Sequence, residues 1–242
     1  MTTRFVIVGL CSAVLALGQA AAPPGTSAST PETPRDQARR LLQQGRTLEA
    51  EQALAKLTAS NPSDNEAWFL YGVLKYLTGY HDAAVQHFET SLALHARNYP
   101  ARSMRAICLV QLGRLKAAET SIKELLITPE GAADLDLAIA HSQLLYENGS
   151  FQRAYDEAAR ATRLSLSNGM AHYWKARALW KLNRLQDAIP EAKAAAALTP
   201  QHSGSHSLLL TLYRAAGLAA EAQQEADWLR SFEERRAKGA GK

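Results

Sequence analysis

Cysteine is nearly absent: the 242 residues contain only Cys11 and Cys108. Two cysteines this far apart, the first in a segment of different composition, exclude a disulfide framework, so packing must hold the fold together. One-sided charge is also missing. Lysine and arginine total 27 against 23 acids, a net charge of +4, which is too slight to suggest a nucleic-acid partner. Catalytic signatures are lacking as well. The sequence has no HExxH, no phosphate-binding glycine loop, no GxSxG and no paired cysteine motif, so it offers no catalytic residues and no cofactor site. His202 and His206 are four apart, a metal-like spacing. Ser203-Gly204-Ser205 between them reads as a helix start, and no third ligand is fixed. No metal is expected.

Long apolar runs are rare too. The one that stands out, Phe5 to Leu17, follows Arg4 and leads into Gly18-Gln19-Ala20-Ala21-Ala22. A basic start, a short apolar stretch and a small-residue exit describe a secretory signal peptide. Residues 1–20 are assigned to it, because cutting after Ala22 would place Pro23 beside the scissile bond. An uncleaved anchor is the alternative, but a spanning helix needs about 20 apolar residues. Residues 21–32, rich in Pro, Ser and Thr, form a flexible linker. The expected location is periplasmic or secreted, with no stable membrane insertion after cleavage.

What the chain does have is a period. Gly45, Gly79, Gly113, Gly149 and Gly217, with Asn183 in the fifth rung, recur at intervals of 34, 34, 36, 34 and 34. Five residues after each stands an alanine: Ala50, Ala84, Ala118, Ala154, Ala188 and Ala222. Amphipathic runs flank every rung, which predicts helix, tight turn, helix. A left-handed residue must close the first helix, and glycine, then asparagine, accept that conformation best. Positions 5, 9 and 12 after each rung share one helical face and form the buried stripe. The longer fourth interval predicts a protruding loop at Thr128-Pro129-Glu130-Gly131. Trp228 lies off the stripe, and is expected to fold over the end of the core. Chains with this self-similarity build stacked arrays.

Trp68, Tyr71, Gly72, Gly79, Ala84 and Phe88 resemble the W-x2-L-G…G…A…F pattern of the tetratricopeptide repeat family. Other copies are degenerate, with Arg102, Ala138, His172 and His206 in place of the tryptophan. The resemblance covers residues 33–236 and implies an all-α, right-handed α-solenoid of about six helix-turn-helix repeats. Its array spans 33–237, divided 33–64, 65–98, 99–132, 133–168, 169–202 and 203–237, followed by a disordered tail at 238–242.

The resemblance also implies that first helices line a concave groove. The matching places bring Phe69, Tyr76, Tyr146, Tyr173, Arg177, Trp180 and Arg214 into it. Aromatic and arginine residues dominate binding hot spots. The expected function is a non-enzymatic scaffold of the cell envelope, binding a protein or peptide partner. A carbohydrate-binding array assisting polysaccharide export, with Tyr146, Tyr173 and Trp180 stacked on sugar rings, is the alternative.

Overall fold

The computed structural model describes residues 32–239. The segments read as signal peptide, all but the last residue of the linker, and residues 240–242 lie outside the described residues. Within them the fold is all-α, with thirteen helices and no strand. Contacts divide the chain into two compact units, one ending at Ala132 and the other beginning at Ala133.

The first unit holds three helix pairs: α1 (Pro34–Gln43) with α2 (Thr47–Ser60), α3 (Asn65–Leu77) with α4 (His81–Leu94), and α5 (Tyr99–Gln111) with α6 (Leu115–Leu126). A short helix, α7 (Pro129–Ala133), follows. The second unit repeats the plan with α8 (Leu135–Glu147) and α9 (Phe151–Leu164), α10 (Gly169–Lys181) and α11 (Leu185–Leu198), and α12 (Ser203–Ala215) and α13 (Ala219–Gly239).

The turns explain the period. Each of the five turn glycines has a positive φ, and Asn183 takes the same conformation at φ 59°. That geometry lets the N–H one residue beyond the turn reach back to a carbonyl near the end of the first helix. The bond recurs in all six repeats, at 2.8–2.9 Å: Arg46 to Leu41, Tyr80 to Lys75, Arg114 to Leu109, Ser150 to Leu145, Arg184 to Leu179 and Leu218 to Tyr213. It satisfies carbonyls that a helix end otherwise leaves open.

First helices begin differently. Thr33, Asp64, Asn98, Asp134 and Asn168 each cap one through a side-chain oxygen, the local bonding that makes these residues good helix starts. At Thr33 the capping box with Asp36 is complete.

The stripe packs as the spacing requires. Ala84, Phe88 and Ser91 are fully buried, as are Ala154, Ala158 and Ala161. Gly72 permits a close approach within the stripe: a Cβ there would lie 2.5 Å from the Phe88 ring. In the last repeat Ala222 is 6% exposed, and Ala226 and Leu229 are only half covered.

Two differences from the sequence reading appear. The stretch after Thr128 is no protruding loop: Gly131 is buried in α7, and a Cβ on it would overlap the Leu125 carbonyl. Thr128 organises this turn, its hydroxyl donating to Leu125 O at 2.7 Å and accepting from Gly131 N–H at 3.1 Å. Residues 238 and 239, read as tail, continue α13, where Arg236 and Lys238 in the last turn offset the helix dipole. Pro190 lies inside α11, the second helix of the fifth repeat.

One feature of the register was not legible beforehand. Eleven residues before the turn, three repeats place a ring N–H on the carbonyl six residues upstream: Trp68 Nε1 on Pro62 at 2.9 Å, His172 Nε2 on Leu166 at 3.0 Å, and His206 Nε2 on Pro200 at 3.3 Å. A carbonyl only accepts, so each histidine Nε2 carries the hydrogen. The other face of each ring meets the residue eight after the turn. His87 stacks near Trp68 at 5.5 Å; Glu191 meets His172 Nδ1 at 2.6 Å and Glu225 meets His206 Nδ1 at 2.7 Å.

Candidate functional site

The densest grouping of aromatic and cationic side chains among the sequence-assigned residues lies in the second unit. Tyr173 and Arg177 are four apart on α10 and therefore share a helix face; Tyr146 comes from the last turn of α8. The Arg177 guanidinium carbon is 4.1 Å from the Tyr146 ring centre, 4.6 Å from Trp174 and 5.6 Å from Tyr173. The rings brace one another edge to face: Tyr146 against Trp174 at 5.7 Å, Tyr173 against Trp174 at 5.4 Å, and Tyr146 against Phe151 at 5.4 Å. Edge-on packing fixes ring positions, so the arginine is held in a preformed seat.

Electrostatics follow from that seat. Arg177 is half-buried and lies beside the Tyr173 ring. Burial pushes the Tyr173 hydroxyl above its ordinary value, with Tyr146 and Glu147 adding to the rise and the Arg177 cation opposing it. Among the described residues Arg177 forms no ion pair with a carboxylate, in contrast to Arg39, Arg105 or Arg160.

The next cations on the same helix repeat the arrangement. Lys181 lies over Phe151 at 6.0 Å, and Arg184, just past the helix end, over Tyr155 at 5.1 Å. Arg184 is also paired with Asp187 at 2.7 Å. On the far side Tyr173 meets His202 edge-on at 4.9 Å. Gly204 keeps that corner open, since a Cβ there would sit 2.8 Å from the His202 ring and 3.3 Å from the Tyr173 hydroxyl.

The seven sequence-assigned residues therefore divide. Tyr146, Tyr173 and Arg177 are brought together. Trp180 packs against the core cluster containing Leu212 and Tyr213, and Arg214 is exposed on α12. In the first unit Phe69 tilts against Phe88 at 5.8 Å. Tyr76 is only 3% exposed and lies against His81, so it serves the core and presents no groove surface. Its neighbours Val73 and Leu74 are buried with it, which explains why that face closes.

Trp174 is the residue that sequence reading missed. It sits nine places before the turn and packs, at 5% exposure. Its adjacency to Tyr173 was the available signal.

The histidines are engaged elsewhere. His202 Nδ1 meets Ser205 Oγ at 2.8 Å, and His206 is held by Glu225, Pro200 and the Trp228 ring. Among the described residues no group of three or more His, Cys, Asp or Glu side chains is placed to hold a metal ion. No described helix is long and apolar enough to cross a membrane.

Family models of the tetratricopeptide repeat match residues 35–100 and 139–203, and a second model of the same description matches 76–140. No curated protein matches the sequence. Solved structures do. A chain of the Cut9–Hcn1 hetero-tetramer of the APC/C superposes with TM-score 0.76 at 16% identity, over 84% of this chain and 40% of that one. This chain thus spans well under half the length of that protein. PilF of Pseudomonas aeruginosa gives TM-score 0.68 at 17% identity, over 85% of this chain and 96% of its own. PilW, titled a type IV pilus biogenesis factor, gives 0.70 at 16%, over 82% and 91%. At these identities the likeness is one of fold.

Proposed function

This chain belongs to the tetratricopeptide repeat family, and from that premise we propose that it is a non-enzymatic scaffold of the cell envelope whose second unit binds a protein or peptide partner at Tyr146, Tyr173 and Arg177. Repeats of this family mediate protein–protein interaction, and fold alone does not name the partner. The observation that carries the assignment is the arginine seated among three rings with no carboxylate of its own. Preordered aromatic and arginine side chains lose little freedom on binding, which is why they concentrate affinity.

The envelope location rests on the N-terminal pattern of Arg4, the apolar run and the small-residue exit. The likeness to a pilus biogenesis factor accords with it. The polysaccharide alternative draws less support, because Trp180 packs into the last repeat's core and leaves less aromatic face for a sugar.

The test is a crosslinking capture from the native envelope, comparing wild type with a Tyr173→Ala/Arg177→Ala double variant. A partner captured by the wild type and lost in the variant supports the assignment. A partner retained by both places the contact elsewhere on the molecule.

A further inference from the structure

The open donors of the seat have a direction and a spacing. Arg177 presents its guanidinium to the rings of Tyr146, Trp174 and Tyr173. Rings engage the face of a guanidinium and leave its N–H edge free, and a carboxylate is the group that accepts two such bonds side by side. Lys181 follows one turn later on the same face, over Phe151, exposed and without an ion pair among the described residues. Glu147, whose charge reaches Tyr173, is the one acid noted at this seat.

Four residues of helix rise about 6 Å. Two residues of extended chain span about 6.6 Å and return the side chain to the same face. The two lengths match. Resting on the peptide-binding reading above, we infer that the site takes an extended peptide with acidic residues at alternate positions, acid-x-acid, one carboxylate on Arg177 and the next on Lys181. Exposed Arg214 on the following first helix adds positive charge on the same unit, which steers an acidic segment towards it.

The experiment is selection from a displayed library of random 12-residue peptides on the full chain, repeated with Arg177→Gln, Lys181→Gln and Arg177→Lys. Circular dichroism melts confirm that each variant folds. The expected result is enrichment of Asp or Glu at two positions separated by one residue. Arg177→Gln should erase the preference at one position and Lys181→Gln at the other. Arg177→Lys should keep an acid there with roughly tenfold weaker binding, since an ammonium lacks the planar fork.

Binders without paired acids would overturn the inference while leaving a peptide scaffold standing. So would an unchanged preference in both Gln variants. No binders, together with envelope capture unaffected by the double variant, would overturn both readings. An oligomer of polygalacturonate that displaces every selected peptide at matched charge would overturn the inference in favour of an acidic glycan.

Discussion

The indole of Trp228 lies flat over the imidazole of His206, ring centres 3.5 Å apart and planes within 15° of parallel. Phe232 stacks on the other end of the same column at 5.0 Å. The column covers α12 where the earlier repeats of the second unit are covered by a following helix pair. His206 is 8% exposed as a result, with its two nitrogens on Glu225 and Pro200.

Removing the cover should therefore destabilise the last repeat. Trp228→Ala is expected to cost about 1–2 kcal/mol, the worth of a stacked aromatic contact plus the area it buries. The check is the urea midpoint of the variant, with Trp228→Phe as a smaller change. An unaltered midpoint for Trp228→Ala would mean that the column contributes nothing.

At the fifth turn, Asn183 alone among the described non-glycine residues takes a positive φ. Asn183→Ala should lose about 1 kcal/mol, the cost of a Cβ in the left-handed region without asparagine's local hydrogen bonding. Asn183→Gly should change stability by less than about 0.5 kcal/mol, because relief of strain is offset by a freer unfolded chain. Equal stabilities for the Ala and Gly variants would contradict this account.

Much of this fold could be read from residues alone. The rungs each encode one local turn, and the alanines recur at a fixed offset from it, so both leave a mark on a short stretch of sequence. The site was legible only in part. Tyr173 and Arg177 share a helix, and the family resemblance alone assigns both to the groove. The role of Trp174 depends on rings from α8, a relation between separate repeats. Tyr76 was misplaced for the same reason: its burial is decided by what packs over α3, and position along the helix does not record that. The helix at 129–133 escaped because proline and glycine in sequence signal a break, whereas Thr128 closes the turn through its hydroxyl.

Cys108 is buried, and desolvation pushes its thiol up to about 12. Since the thiolate is the reacting form, a Cys11→Ser chain should react with a disulfide reagent at pH 8 only as fast as the fold opens. Raising the pH from 8 to 9 should speed the denatured chain far more than the native one. Rapid labelling of the folded protein at pH 8 would show instead that the thiol is accessible.

Asp136 is pushed up to about 7, first by burial and then by Asp134. A carboxyl that holds its proton more tightly folded than unfolded makes the unfolded state the better acid, so stability falls as pH rises from about 4 to 7. The full cost is present above that window and absent below it. Asp136→Asn should flatten this part of the stability profile and raise stability at pH 8, as measured by urea unfolding across the range. A wild-type profile that rises over the same interval, unchanged in the variant, would rule the assignment out.

Trp68, His172 and His206 share no obvious chemistry as letters, and a comparison by residue identity scores them as unrelated. As hydrogen-bond donors they are interchangeable parts, each fastening a helix to the connection that precedes it. The repeat is thus specified by function of the side chain rather than by its name. Two of its copies hold an imidazole and a carboxylate at the two positions where the second repeat holds an indole and an imidazole. Grafting one half of that combination into another repeat would leave an acid or a ring without its counterpart, so the substitutable unit of this array is the pair.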